Sequence, residues 1–219
     1  MKELILNLID NGNYSEARKR LIEMNEVDIA QFLEELDKEK LMIIFRILPK
    51  EIAAGVFSYV PYELQEYIID SITDKEIKNI IDELFLDDTI DFLEEMPSNI
   101  VKRVLKTTDE ETRKLINQFL KYPEDSAGSI MTIEYVDLKK EMTVKQALDH
   151  IKETGVDKET IDTCYVLDSN RILEGIISIR KLILSDDTTL VQDIMKTDPI
   201  YINTHDDHEK IASLFKKYD

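Results

Sequence analysis

Asp87 and Asp91 lie four residues apart in the run LDDTID, and on a helix that spacing sets two carboxylates on one face. Paired hard oxygens suit a divalent cation such as Mg²⁺ or Ca²⁺. Without a cation, like charges at that spacing repel each other. The same run also reads as a helix start, in which Asp87 or Asp88 caps the first turn and Asp91 favours the positive end of the helix dipole. Asn79 to Val101 holds seven acidic residues and no lysine or arginine, the most concentrated negative charge of the first half. A second chemical candidate is the run from His205 to Glu209, HDDHE. Imidazoles beside carboxylates suit Zn²⁺ or Mn²⁺. The run also precedes a helical pattern near Glu209 to Tyr218, where Thr204 or an aspartate reads more simply as the N-cap.

The elements that must carry the first pair repeat every twelve residues. Laid out in blocks of twelve from Glu23, the third position holds Asn25, Asp37, Pro49, Pro61, Thr73, Phe85, Pro97 and Asp109. All but Phe85 are N-cap types or prolines suited to a first helical turn, so each block is expected to begin a new short helix. Apolar residues at helical spacing, such as Leu41, Ile44 and Phe45, give each helix one face to bury. Helices of roughly eight or nine residues do not stand alone in water, so successive units must stack into a superhelix with a shared core.

A different repeat begins after YPEDSAGSIMT, residues 122–132, at an offset of 64 residues from Ile130-Met131 to Ile194-Met195. Each copy opens with an Ile-Met turn, a short alternating strand (Val136 and Leu138; Ile200 and Ile202) and an amphipathic helix. The first copy continues with a strand from Cys164 to Leu167, a turn at Asp168-Ser169-Asn170, a strand from Ile172 to Ile179 containing Gly175, and a helix from about Arg180. The second copy ends before its strands, and the expectation is a chain that forms the N-terminal part of something longer.

Composition narrows the function. A net charge of −18 over 219 residues repels nucleic acid and attracts cations or basic partners. Cys164 is the single cysteine, so no intrachain disulfide forms, in keeping with a reducing compartment. The apolar runs fall short of the roughly 20 residues that cross a bilayer. A soluble, cytosolic chain is the expectation. An enzyme is not expected, for want of a glycine-rich phosphate loop or a nucleophile-histidine arrangement.

The order SIMT, MTVKQALDHIKE, YVLD, GIISIRKLIL, VQDIM and HEKIASLFKKYD across Ser129 to Asp219 resembles a pair of CBS domains with the second cut short. The helical array followed by YPEDSAGSIMTIEYV is similar to the cytosolic region of the MgtE family of magnesium transporters or channels. The resemblance covers Ile22 to Asp219. It implies an α plus α/β chain in three parts: an acidic helical superhelix over 1–122, a linker and first CBS motif of βαββα type over 123–187, and a truncated second motif over 188–219. It also implies a Mg²⁺ sensor on the cytoplasmic side of a membrane, attached to a pore formed by a dimer, in which bound Mg²⁺ bridges acidic faces and favours the closed state.

Carried over residue by residue, the acidic helix motif matches LDDTID and nominates Asp87 and Asp91 as metal ligands. The CBS-side motif matches Thr204 to Glu209 and Lys216 to Asp219 and nominates Asp207, Glu209 and Asp219. Where the family pattern can offer a glutamate in the helix after the LPK turn, this chain has Gly55. Two other classes remain open. One is adenine-nucleotide sensing, weakened here because Lys181 stands where the ribose-holding acid would follow Ser178, although Arg180 could still contact phosphate. The other is a helical scaffold that binds partner proteins.

Overall fold

A short helix needs its first N–H groups satisfied and its apolar face covered, and both needs are met at a twelve-residue pitch. The computed structural model describes residues 1–218 and divides into two units, Met1–Pro123 and Glu124–Asp219. The first unit is helical throughout: α1 (Lys2–Asp10), α2 (Tyr14–Ile22), α3 (Glu26–Glu34), α4 (Lys38–Ile47), α5 (Lys50–Tyr59), α6 (Tyr62–Ser71), α7 (Asp74–Ile81), α8 (Leu86–Glu94), α9 (Ser98–Thr107) and α10 (Glu110–Phe119). From α3 onward the N-cap is the third residue of each block, Phe85 included. Asn25 and Asp37 accept the N–H groups of Val27 and Lys40 at 3.0 and 2.9 Å. Thr73 and Glu76 form a reciprocal capping box. The Asp109 carboxyl is held down at about 2, first by the Thr112 hydroxyl and then by backbone N–H groups. Pro49, Pro61 and Pro97 occupy the N-cap itself, one residue ahead of the first helical turn.

Alternate helices stack. α3 packs on α5, α5 on α7, α7 on α9, and α8 on α10. Phe57 of α5 and Phe92 of α8 meet edge to face with ring centroids 5.0 Å apart. Two arginines bind the end of α6 to helices elsewhere in the array. Arg46 of α4 donates to the Ser71 carbonyl at 2.8 Å, and Arg103 of α9 donates to those of Ile69 and Ile72 at 2.7 Å each. These carbonyls lie at and just beyond the helix end, where intrahelical donors run out.

The second unit runs β1 (Tyr135–Leu138), α11 (Val144–Thr154), a 3-10 turn at Gly155–Asp157, β2 (Thr160–Leu167), β3 (Leu173–Ser178), α12 (Ile179–Ile183), α13 (Val191–Ile194) and α14 (His208–Tyr218). Its sheet has the order β1-β2-β3, with β1 parallel and β3 antiparallel to the central β2. This is the βαββα arrangement expected from the sequence. β2 begins four residues before Cys164 because its first residue, Thr160, pairs with Tyr135. The turn after it is set by Asp168, whose Oδ1 accepts from Asn170 and Ile172 at 2.8 Å each, with Arg171 at φ +62°. Cys164 packs with Val136, Val166, Ile177 and Val191 in the core, and burial pushes its thiol up to about 11.

One expected strand does not form. Residues 200–202 are irregular, and Ile200 and Tyr201 are 50% and 74% exposed. A strand needs a neighbour to receive its ladder, and the outer edge of β3 is instead met by Lys196, which exchanges two hydrogen bonds with Ile176 at 3.0 and 2.8 Å. Gly175 makes that approach possible, since a Cβ there would stand 2.8 Å from the Lys196 carbonyl oxygen. Gly175→Ala is therefore expected to cost about 1–3 kcal/mol. Native-state hydrogen exchange would read this as faster exchange at the Ile176 and Lys196 amides, and unchanged protection would contradict it.

Candidate metal centre

The buried face of α8 comprises Leu86, Thr89, Ile90, Phe92 and Leu93. Asp87 and Asp91 fall away from it on one side of the helix, as i, i+4 geometry requires. Because Phe85 is the N-cap, neither Asp87 nor Asp88 caps α8, and Asp91 lies beyond the first turn. That corrects the helix-start reading, although Asp87 and Asp88 still complement the dipole from the first turn. The Asp91 carboxyl is raised above its ordinary value, first by burial against its surroundings and then by the charge of Asp87. Its side chain nonetheless keeps access to solvent, so a hydrated ion can reach it. Tyr62, at the start of α6, belongs to the same patch: its phenol is raised by burial and then by Glu95, Asp91 and Glu94.

Gly55 has a structural counterpart. A Cβ on it would collide with the carboxylate of Glu26, so a side chain of α3 fills the space beside the glycine. The obstructing atoms are the far end of a flexible side chain. Gly55→Ala should therefore displace Glu26 at little cost and gain helix propensity, stabilising the unit by about 0.5–1 kcal/mol in urea unfolding. A loss of stability would mean that the Glu26 carboxylate is fixed there.

In the second unit Asp207 is the residue before α14 and its Oδ1 accepts the Lys210 N–H at 2.8 Å, which makes an aspartate the cap, as the sequence allowed. Asp206 is committed elsewhere: its Oδ2 accepts from Lys210 Nζ at 2.8 Å and from the Asn203 N–H at 2.9 Å. Lys210 first, then Asn203, hold its carboxyl below the ordinary range. Glu209 is exposed in the first turn of α14. Asp219 lies outside the described residues. No group of three or more metal-ligating side chains converges among the described residues, so the HDDHE run does not assemble a Zn²⁺-type cage. Mg²⁺ keeps several of its waters and does not require such a cage of protein ligands.

At the nucleotide signature, Ser178 Oγ accepts the Lys181 N–H at 3.2 Å and caps α12. Lys181 occupies a helical position in place of an acid. No helix among the described residues is long and apolar enough to cross a membrane.

The MgtE intracellular N domain family matches residues 24–125, and the CBS domain family matches residues 127–186. A magnesium transporter MgtE of Thermus thermophilus is 32% identical over 96% of this chain and 48% of its own length. One of Bacillus subtilis is 27% identical over 97% of this chain and 51% of its own length. The chain thus spans about half the length of these curated relatives. A crystal structure of the cytosolic domain of the Mg²⁺ channel MgtE in complex with ATP superposes with a TM-score of 0.94 at 32% identity, covering 100% of this chain and 90% of that one. The soluble part of a magnesium transporter superposes at 0.93 and 27% identity, covering 100% of this chain and 86% of that one. The twelve-residue helical array, the βαββα unit that follows it and these likenesses place the chain in the MgtE family of magnesium transporters, with that family's intracellular N domain and CBS domain.

Proposed function

We propose that this chain is the cytosolic Mg²⁺-sensing region of an MgtE-type transporter and performs no catalysis of its own. The observation that carries the reading is the Asp87–Asp91 pair, two carboxylates four residues apart on one side of α8, of which Asp91 keeps access to solvent and has its charged form disfavoured by burial and by its neighbour. A divalent cation relieves that repulsion. In the working cycle, Mg²⁺ bridges acidic faces that include Asp87 and Asp91 in the helical unit and Asp207, Glu209 and Asp219 in the CBS unit. Occupancy favours a compact, closed state of a dimeric membrane pore carried by further chain. When cytosolic Mg²⁺ falls, a net charge of −18 drives the faces apart.

Small-angle scattering of this chain with and without Mg²⁺ tests the reading. The radius of gyration is expected to fall on addition of Mg²⁺, and Asp87→Asn with Asp91→Asn should abolish the change. A wild-type chain whose scattering and protease resistance ignore Mg²⁺ would sink the proposal. Asp91→Asn also has a metal-free consequence. A raised carboxylate pKa means the folded state binds the proton more readily than the unfolded one, so ionised Asp91 opposes folding near neutral pH and the opposition fades as pH falls through the raised value. Removing the like-charge contact should therefore leave the helical unit as stable as before or up to about 0.5 kcal/mol more so in Mg²⁺-free urea unfolding. A marked loss would point to a structural role for Asp91.

A second reading has one observation in its favour, the relative solved with ATP. Adenine nucleotide would then bind the CBS unit as a co-regulator, using Arg180 for phosphate. Lys181 in place of the ribose-holding acid makes isothermal titration with ATP and with AMP the discriminating measurement.

A further inference from the structure

The seventh position of each twelve-residue block faces the core, and Ile29, Leu41, Ala53 and Ile77 are all buried there. Gln65 breaks the pattern. It is 3% exposed, and a buried amide costs free energy unless its polar atoms are matched. Its Nε2 donates to the Phe57 carbonyl at 2.9 Å, which fixes the orientation of the amide because a carbonyl oxygen only accepts. Its Oε1 is buried with no hydrogen-bond partner among the described residues. An apolar side chain would carry no such penalty, so what the amide contributes is the bond made by Nε2. That bond answers a local need. Phe57 lies in the last turn of α5, where intrahelical donors run out, and the residue four further on, whose N–H would continue the ladder, is Pro61. Ahead of Pro49 and Pro97 the backbone itself meets the same need: the Leu48 N–H donates to the Phe45 carbonyl and the Met96 N–H to that of Leu93, at 3.3 Å each. Phe57 instead takes a donor from the side chain of the next helix.

Phe57 connects two helices to its own. Its carbonyl is held by α6, and its fully buried ring meets Phe92 of α8 edge to face. We infer that Gln65 is a positioning residue for α8: by fixing the Phe57 backbone it sets the ring against which Phe92 packs, and with it the placement of the helix that carries Asp87 and Asp91. Each link is short and directional, a buried hydrogen bond on one side of Phe57 and an aromatic contact on the other. This role needs no cation at α8, so it stands apart from the sensing reading.

A mutant cycle in urea unfolding of the whole chain, without divalent cations, tests the role. Gln65→Met keeps the length of the side chain and removes the donor, and Phe92→Leu removes the far ring. The two should be non-additive, with Phe92→Leu lowering the folding constant by a factor roughly threefold smaller once Gln65→Met is present. In a Phe57→Leu background, which keeps the carbonyl and deletes the connecting ring, the non-additivity should vanish. Strict additivity would overturn the proposal, and so would coupling that survives Phe57→Leu. Amide exchange separates positioning from general stability. In Gln65→Met the Ile90 to Leu93 amides of α8 should exchange roughly tenfold faster, with the Ile44 and Phe45 amides of α4 much less affected. Equal acceleration in α4 and α8 would make Gln65 a stabiliser of the whole array and overturn its role at α8. In the unsubstituted chain, a through-bond NMR coupling between Gln65 Nε2 and the Phe57 carbonyl carbon should be present, and its absence would also overturn the proposal.

Discussion

Phe92→Ala is expected to destabilise the helical unit by about 3–5 kcal/mol, the cost of removing a fully packed phenylalanine and leaving a cavity that its neighbours cannot close. Phe92 is 2% exposed and its ring meets Phe57 edge to face, joining α8 to α5 across the stack. Edge-to-face pairs carry about 0.5–1.5 kcal/mol beyond their buried area, so a double-mutant cycle with Phe57→Ala should return a coupling of that size. In a stack of short helices each unit depends on its neighbours, and the loss should appear as a lower urea midpoint for the whole array. The functional consequence follows from geometry. The buried face of α8 orients the opposite face, so a loosened α8 should also lose any Mg²⁺ response carried by Asp87 and Asp91. Phe92→Leu, which keeps most of the volume, should cost less than half as much. A cost for Phe92→Ala under about 1 kcal/mol would contradict the role of α8 as an anchored element.

The helical pitch was legible because capping is a local transaction. Asn25, Asp37, Thr73 and Asp109 accept N–H groups two or three residues ahead, and a twelve-residue frame records each such event. Phe85 has no capping oxygen, yet it obeys the frame because the stack fixes where α8 must begin. What the frame cannot record is which helices touch. Helices such as α3 and α5 stack on one another, and the relation of Glu26 to Gly55, or of Tyr62 to the α8 carboxylates, emerges only once the packing is known. In the second unit, apolar alternation located the strands, but residues 200–202 carried the same pattern without a partner to pair with. The HDDHE run shows the limit of composition: Asp206 is spent on Lys210 and Asp207 on capping, and ligand-like residue types in sequence do not fix where their side chains converge.

Arg103→Ala is expected to cost about 2–3 kcal/mol, because one guanidinium serves three acceptors. Its two terminal nitrogens donate to the Ile69 and Ile72 carbonyls at the end of α6 and its Nε to Asp74 at 2.9 Å. Hydrogen bonds from a charged donor contribute about 1.5–3 kcal/mol each when desolvated, but the Arg103 side chain is 31% exposed, and that argues against summing them. The Asp74 contact should matter least, since an exposed ion pair is worth roughly 0–1 kcal/mol. Asp74→Ala and its cycle with Arg103→Ala should then show weak coupling, placing most of the loss at the α6 carbonyls. Lysine offers a point charge rather than a planar fork and cannot reach all three acceptors in this arrangement. Arg103→Lys should accordingly recover less than half of the stability lost in Arg103→Ala, measured by urea unfolding. Full recovery would assign the effect to charge alone, complementing the negative end of α6, and would remove the geometric role from Arg103.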